Sequence, residues 1–359
     1  MFRGADGLQD LQQSWHDLVA DQKAGGFYHL FEWYEANLAA YQDEQDFLTI
    51  GVYSGDHLLA LLPLRATKRR LFGLRIRVLE FPNTEVVLHD AILAPGSNPS
   101  EIVQAIRSEL SLRSDVGWDF MRLNEMPGAA QFAKRNPGSP IPLSVIHHTG
   151  YSNVFELEQY RDLSNLLSKN FRAKLRKHKN KLRQYEDFSY DTVDTLPDLE
   201  VAFDEFLELE ASGWKSRVGQ GRGAIKLSNK KTDFYRRVLN SFSQLDGCHI
   251  HFIRVDGRPI AGAFTIIVND TCFLFKIAYD EEFAKLSPGN LLTEYIINYY
   301  LEDSNIRFIN LISNSKWRDS WHPSKIEVVT CYVFNRTFLG FLSYVLIRIK
   351  SALDSTPEE

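Results

Sequence analysis

Cysteine is scarce in this chain. Cys248, Cys272 and Cys331 are widely spaced with no Cys-x-x-Cys pair, which argues against a disulfide framework or a cysteine zinc site and fits a reducing compartment. Long apolar runs are also missing: the best candidate, FLGFLSYVLI at 338–347, is far short of the roughly 20 residues a membrane span needs. The opening residues MFRGADGLQDLQQSW contain no apolar h-region, so no secretory signal is expected. Charge of one sign is lacking as well, and a formal net charge of -5 exerts no general pull on nucleic acid. What remains is ordinary globular composition, 44% hydrophobic and 24% charged, which argues against disorder. At 359 residues two domains are expected.

Patterning divides the chain. Residues 8–41 carry Leu8, Leu11, Trp15, Leu18 and Val19 at helical spacing, with a Gly25-Gly26 break before a second helix. FLTIGVY and HLLALLPLRA flank Ser54-Gly55-Asp56 as a hairpin. VVLHDAILAPG reads as strand and loop, PSEIVQAIRSELSL as a helix capped by Ser97 or Asn98, and WDFMRLNEM as a strand. The proline-rich segment 127–142 divides the halves. Beyond it come the basic helix KNFRAKLRKHKNKLR at 169–183, a helix from Pro197 to Glu210, and three strands divided by Asp256-Gly257 and Asn269-Asp270, dipeptides that favour hairpin turns. The loop DEEFAKLSPGN, the helix LLTEYIINYYLED and the strand IRFINLI follow. Element order repeats between 88–126 and 273–312, which suggests an internal duplication. The expected units are 1–150, 151–335 and a C-terminal helix and tail at 336–359.

The segment Leu286-Ser287-Pro288-Gly289-Asn290 joins a strand to an apolar-striped helix. Free N–H groups at a helix start and the helix macrodipole favour anions, and Gly289 allows a phosphate close to the backbone. An ordinary cap, with Asn290 as the capping residue, is the competing reading.

With its neighbours this segment resembles a family. SKNFRAKLRKHKNKLRQYE, LELEASGWK, IRVDGRPIAGAF, AYDEEFAKLSPGNLL and INLISNSKWRDSW occur in the order found in the GNAT superfamily, and within it in the CelD/BcsL-like acetyltransferases linked to polysaccharide biosynthesis. The likeness spans roughly 150–322, and Fem-type aminoacyltransferases that build peptidoglycan cross-bridges are similar at greater distance. The resemblance implies an α+β fold of tandem GNAT-like domains, each a mixed, mostly antiparallel sheet flanked by helices. It implies that Leu286, Ser287, Pro288, Gly289 and Asn290 cradle the diphosphate of acetyl-CoA or a longer acyl-CoA. Backbone N–H groups near Ile277 and Ala278 would polarise the thioester carbonyl. Direct transfer to an amine or hydroxyl then needs positioning and one base.

For that base, Glu210 at the end of its helix is the first candidate, with Lys215 in the same segment; a surface carboxylate is the alternative. Alternation puts Lys276 on the strand face opposite Phe273, Phe275, Ile277 and Tyr279, towards a cleft or on its rim. Relatives carry an acid where this chain has Asn310, and a Tyr-Lys pair at Lys316-Trp317; Asn310 can hydrogen-bond but cannot serve as a carboxylate base. His249 and His251 share a strand face without a third ligand, so no metal is expected, and His322 reads as a loop histidine.

The expected activity is acyl-CoA-dependent N- or O-acylation of a small-molecule or lipid-linked acceptor, a sugar or lipid precursor of the cell envelope, at the cytoplasmic face of the membrane. N-acylation of a sphingoid-type lipid amine, Fem-type transfer from aminoacyl-tRNA, and a catalytically silent scaffold subunit are the alternatives. Residues 169–183 and 338–350 could meet an anionic membrane surface. The first of these is equally a solvated helix, and its lack of interleaved aromatics disfavours nucleic acid.

Overall fold

The fold was taken from a computed structural model that describes residues 1–354 except 21, 23–24, 42–45, 72, 83–87, 113–114, 131–143, 214–222 and 314–315. The first half begins with β1 (Phe2–Arg3), α1 (Gly4–Asp10), α2 (Gln12–Ala20) and α3 (Phe31–Tyr41). It continues with β2 (Phe47–Ser54), β3 (His57–Leu71), β4 (Leu74–Glu80), β5 (Ile92–Leu93), α4 (Pro99–Leu112) and β6 (Phe120–Pro127). Then come β7 (Ser144–Glu156), the single-turn α5 (Leu163–Leu166), α6 (Lys169–Leu182), β8 (Phe188–Val193), α7 (Asp198–Ser212) and α8 (Asn229–Ser243). The chain closes with β9 (Cys248–Val255), β10 (Arg258–Val268), β11 (Thr271–Tyr279), α9 (Pro288–Leu301), β12 (Phe308–Asn310), β13 (Ser324–Phe334) and α10 (Phe338–Asp354).

Among the described residues thirteen strands join one mixed sheet, in the order β1-β2-β3-β4-β6-β13-β7-β12-β11-β10-β9-β8, with β5 paired to β3. Two contacts are parallel: β4 with β6, and β11 with β12. Each belongs to a β-α-β unit, with α4 and α9 as the crossover helices, so the doubled arrangement is a property of the fold. The first unit enters through Leu74–Glu80, whose alternation of Arg75 and Arg77 with Ile76 and Val78 is a strand signal the sequence reading passed over. VVLHDAILAPG, read as that strand, contributes only Ile92–Leu93 among the described residues.

Turn chemistry accounts for the meander. Asp256 and Gly257 both have positive φ (50° and 72°), the geometry of a two-residue hairpin turn whose twist matches the strands. Asn269, at φ 55°, turns β10 into β11.

Alternation along the strands divides the cores. Ile250, Phe252, Phe264, Phe273 and Phe275 face α3, α7 and α8 through Trp33, Phe203, Phe206, Phe234 and Tyr235. Ile253, Ala263, Cys272 and Leu274 face α9 through Leu291, Leu292, Ile296 and Tyr300. Phe27, from the N-terminal segment, packs 5.2 Å from Phe273 and 5.3 Å from Phe275, ring centre to ring centre, so the first forty residues seal one face of the second half.

Candidate active site

The site begins where β11 and β12 separate. They pair only over Thr271–Phe273 with Phe308–Asn310. The break is fixed by Asn310, whose Oδ1 accepts from the Ile312 N–H at 2.8 Å and from the Ser152 hydroxyl at 3.1 Å, while Ile312 turns the chain with φ 60°. Asn310 is buried and its acceptor is committed to this turn, so it positions the mouth of the gap and does not line the cleft beyond.

Along its other edge β11 pairs with β10 through a bulge: Phe264 faces Lys276 and Thr265 faces Leu274, leaving Phe275 extra. Such an insertion resets alternation. The expectation that Lys276 opposes Phe275 is therefore corrected: its ammonium lies 5.1 Å from the Phe275 ring and 5.4 Å from that of Tyr235, on the same side. Ile277 packs with the α9 core and Ala278 with the α7–α8 core. Lys276 is not among the residues lining the cleft.

That cleft has a volume of about 450 Å³. Ser287, Pro288, Gly289 and Asn290 line its floor, Ile277, Ala278 and Tyr279 line it from β11 with Gly213 lying against the Tyr279 carbonyl, and Glu210 and Trp317 complete the lining. Leu286 is buried in the α9-side core behind the floor.

Several contacts hold the floor. Asp280 caps the turn that enters it by accepting from the Glu282 N–H at 3.0 Å, and it is ion-paired with Arg258. Ser287 has φ 53° and ψ 52°, a left-handed conformation costing about 1 kcal/mol for a residue with a Cβ, of the kind that clusters at binding sites. Pro288 opens α9, where its missing N–H costs nothing, and the first turn carries no acid. Asn290 is not the capping residue, as the sequence suggested. Its Nδ2 donates to Ser287 Oγ at 2.8 Å while its Oδ1 accepts from Trp321 Nε1 at 2.9 Å, tying the floor to a fully buried indole. A Cβ at Gly289 would meet nothing within 4 Å, so glycine there answers no packing need and leaves the backbone accessible from the cleft.

Glu210 belongs to the buried face of α7. It is 4% exposed, and its Oε2 accepts from the Ile225 N–H at 2.8 Å. It is a carboxylate at the edge of a largely apolar cleft, held by a backbone donor. Lys215 lies outside the described residues. Trp317, which sequence reasoning treated only as a departure from the family pattern, reaches the cleft stacked on Arg318 at 5.0 Å. Arg318 is buried, donates to the Leu311 carbonyl at 2.9 Å and to Ser313 Oγ at 3.3 Å, and burial lowers its pKa to about 10. Its acceptors are a carbonyl and a hydroxyl near in sequence, leaving no charge pattern by which the role could be read.

The two histidines are structural. His251 is fully buried, bonded through Nδ1 to Thr192 Oγ1 at 2.8 Å and through Nε2 to Thr265 Oγ1 and Tyr300 Oη, each at 3.2 Å; burial holds its pKa well below the ordinary value. Among the described residues no group of three or more His, Cys, Asp or Glu could hold a metal ion.

An open helix N-terminus, a strand edge freed by divergence and a buried carboxylate around one cleft suit an anion-bearing acyl donor and a proton transfer. Comparison with known proteins agrees. Residues 169–318 match the family described as the acetyltransferase (GNAT) domain, a stretch that includes Glu210 and the whole floor. The fold is similar to the C-terminal domain of a putative lysylphosphatidylglycerol synthetase from Agrobacterium fabrum, at 11% identity, 96% coverage of each chain and TM-score 0.57. It is similar to FemX at 9% identity, 94% coverage of this chain, 98% of that one and TM-score 0.59. The L-PGS of Bacillus licheniformis overlaps at 13% identity, 97% of each chain and TM-score 0.55. No curated protein sequence matches the chain. The fold is a mixed sheet flanked by helices, with the GNAT domain in its second half and a second β-α-β unit in its first. The chain is an acyltransferase, carrying a GNAT acetyltransferase domain over 169–318.

Proposed function

We propose that the protein transfers an acyl group from an acyl-CoA to an amine or hydroxyl on a sugar or lipid precursor of the cell envelope. The observation that carries this reading is the coincidence, in one cleft, of the open N-terminus of α9 with Ile277 and Ala278 on the divergent strand. The diphosphate would lie over Gly289, and the backbone at Ile277 and Ala278 would polarise the thioester carbonyl. The acceptor attacks that carbonyl, Glu210 takes the proton the acceptor loses, and CoA leaves as the thiolate. The choice of a polysaccharide precursor rests on the sequence resemblance over 150–322.

Aminoacyl transfer is the second reading, supported by the near full-length overlap with FemX and the two lysylphosphatidylglycerol synthetase structures. Thermal unfolding of the purified protein with acetyl-CoA, a long-chain acyl-CoA and free CoA separates the two. A ligand that binds only the folded state at 100 times its Kd adds about 2.7 kcal/mol. A rise in Tm in the wild type that disappears in Gly289→Glu is the expected result, and the acyl length giving the largest rise narrows the donor. No rise with any CoA species would remove the acyl-CoA reading and leave aminoacyl transfer.

A further inference from the structure

The sequence makes α6 cationic all round, yet the fold gives its sides different neighbours. Phe171, Leu175 and Leu182 pack into the α9-side core. On one flank of that row Lys179 is taken by Glu294 of α9 at 2.8 Å. Lys174, Lys177 and Lys181 recur at helical spacing along the other flank, and none of them forms an ion pair among the described residues. Burial, and then the charges of Lys181, Lys177 and Lys174, lower the pKa of His178, whose ring lies against the Lys285 backbone. This flank of α6 is therefore turned towards the turn Glu281–Leu286 that leads into the floor of the cleft.

Both ends of α6 are tied to that floor. At its start the Phe171 ring meets Trp321 at 5.2 Å, the indole that holds Asn290. Beyond its end Lys181, Gln184 and Tyr185 enclose, with Leu286, a second cavity of about 310 Å³, small among ligand pockets. The Tyr185 ring lies 6.1 Å from that of Phe283, centre to centre, so the turn braces it. Lys285, of the same turn, is exposed and forms no ion pair among the described residues. Leu286 lines this cavity and Ser287, the next residue, lines the cleft, so the two are neighbours along one loop.

We propose that this second cavity binds the nucleotide end of the acyl-CoA, with Lys177, Lys181 and Lys285 on its 3′-phosphate and the adenine against Tyr185. The inference rests on the acyl-CoA reading of the cleft and adds a second anchor to it. The donor carries two separate phosphate groups, and the open start of α9 accounts only for the diphosphate. The monoester on the ribose needs point charges within reach that no carboxylate already holds. A ring beside them gives a base a face to stack on. The chain's net charge of -5 disfavours a long polyanion, whereas a single phosphate answers to the local cations.

The test is calorimetric titration of the full chain with CoA and with dephospho-CoA, which differ only in the 3′-phosphate. CoA is expected to bind about tenfold tighter. Lys177→Ala with Lys181→Ala should erase that preference, whereas Arg172→Ala with Arg176→Ala, on the other flank, should leave it intact. Tyr185→Ala should weaken both ligands alike, about fivefold. Equal affinity of the wild type for the two ligands overturns the proposal and leaves the acyl-CoA reading standing, as does a preference that both pairs of substitutions reduce equally. Failure of the wild type to bind either ligand overturns both.

Discussion

The two β-α-β units of this molecule invite comparison because their helices are the same length and their strands pair alike. In each, a 14-residue helix, α4 or α9, connects strands that run parallel for three residue pairs and then part. In the first unit the gap beyond Glu80 is filled by the chain itself: His89 stacks on Phe81 at 4.8 Å and donates its backbone N–H to the Glu125 carbonyl at 2.9 Å. The start of α4 is closed too, since Asn98 Oδ1 accepts from the Ser100 N–H at 3.2 Å and Glu101 sits in the first turn, where an acid satisfies the helix dipole. In the second unit the gap stays open, and α9 begins on a left-handed serine with no side-chain cap and no acid. A cleft of this kind arises from what is left out as much as from what is supplied.

The sharpest way to break the contrast is to close the second unit. Gly289→Glu places a carboxylate at the start of α9, as Glu101 does in α4, and is expected to lower kcat/KM about 1,000-fold (about 4 kcal/mol) with little change in Tm, because the new side chain enters open space. Steady-state kinetics beside a melting curve checks both halves of that statement. Glu210→Gln keeps the shape and removes the proposed base; kcat should fall about 100-fold, while acyl-CoA affinity, read by calorimetry, stays within a few-fold.

Filling the first unit has its own signature in pH. Burial lowers the pKa of His29 to about 4 and that of His89, which also feels His29, to about 3. Both are held neutral when folded, so the unfolded chain binds more protons below the ordinary value of 6.5. Their contribution is fully present above pH 6.5 and declines as pH falls from 6.5 towards 4, by about 1.4 kcal/mol per pH unit for each histidine. Denaturant unfolding across that range should show the slope, and His89→Leu should remove one histidine's share. The smallest effects concern the helix starts: Asn98→Ala should cost about 1 kcal/mol without altering activity, and Ser287→Gly should gain up to about 1 kcal/mol by relieving the left-handed serine.

Much of this was legible in the sequence because it depends on neighbours. Asp256-Gly257, Asn269-Asp270, the apolar face of α7 and the Ser287-Pro288-Gly289 helix start are written within a few residues of where they act. Lys276 was misplaced because a bulge is a mismatch between two strands, and only the pairing with β10 creates it. The commitment of Asn310 to Ser152 spans 158 residues, and the burial of Arg318 follows from the turn it stabilises; neither leaves a periodic trace. The filler of the first unit escaped for the same reason, since the stacking of Phe81 on His89 follows from how the chain returns to the sheet.

The place of β13 has a consequence for how the molecule is made. This strand, Ser324–Phe334, runs between β6 and β7 and is antiparallel to both, yet it emerges from the ribosome nearly two hundred residues after the first of them. Until it arrives, β6 and β7 each expose an unsatisfied edge, the kind that recruits other chains, and the sheet can be completed only by a contact of high sequence separation, which is slow to form. The nascent chain thus passes through a long interval in which both edges must be kept from foreign partners. Its vulnerability to aggregation should be set by how long β13 lags behind β6 in synthesis, far from the candidate cleft.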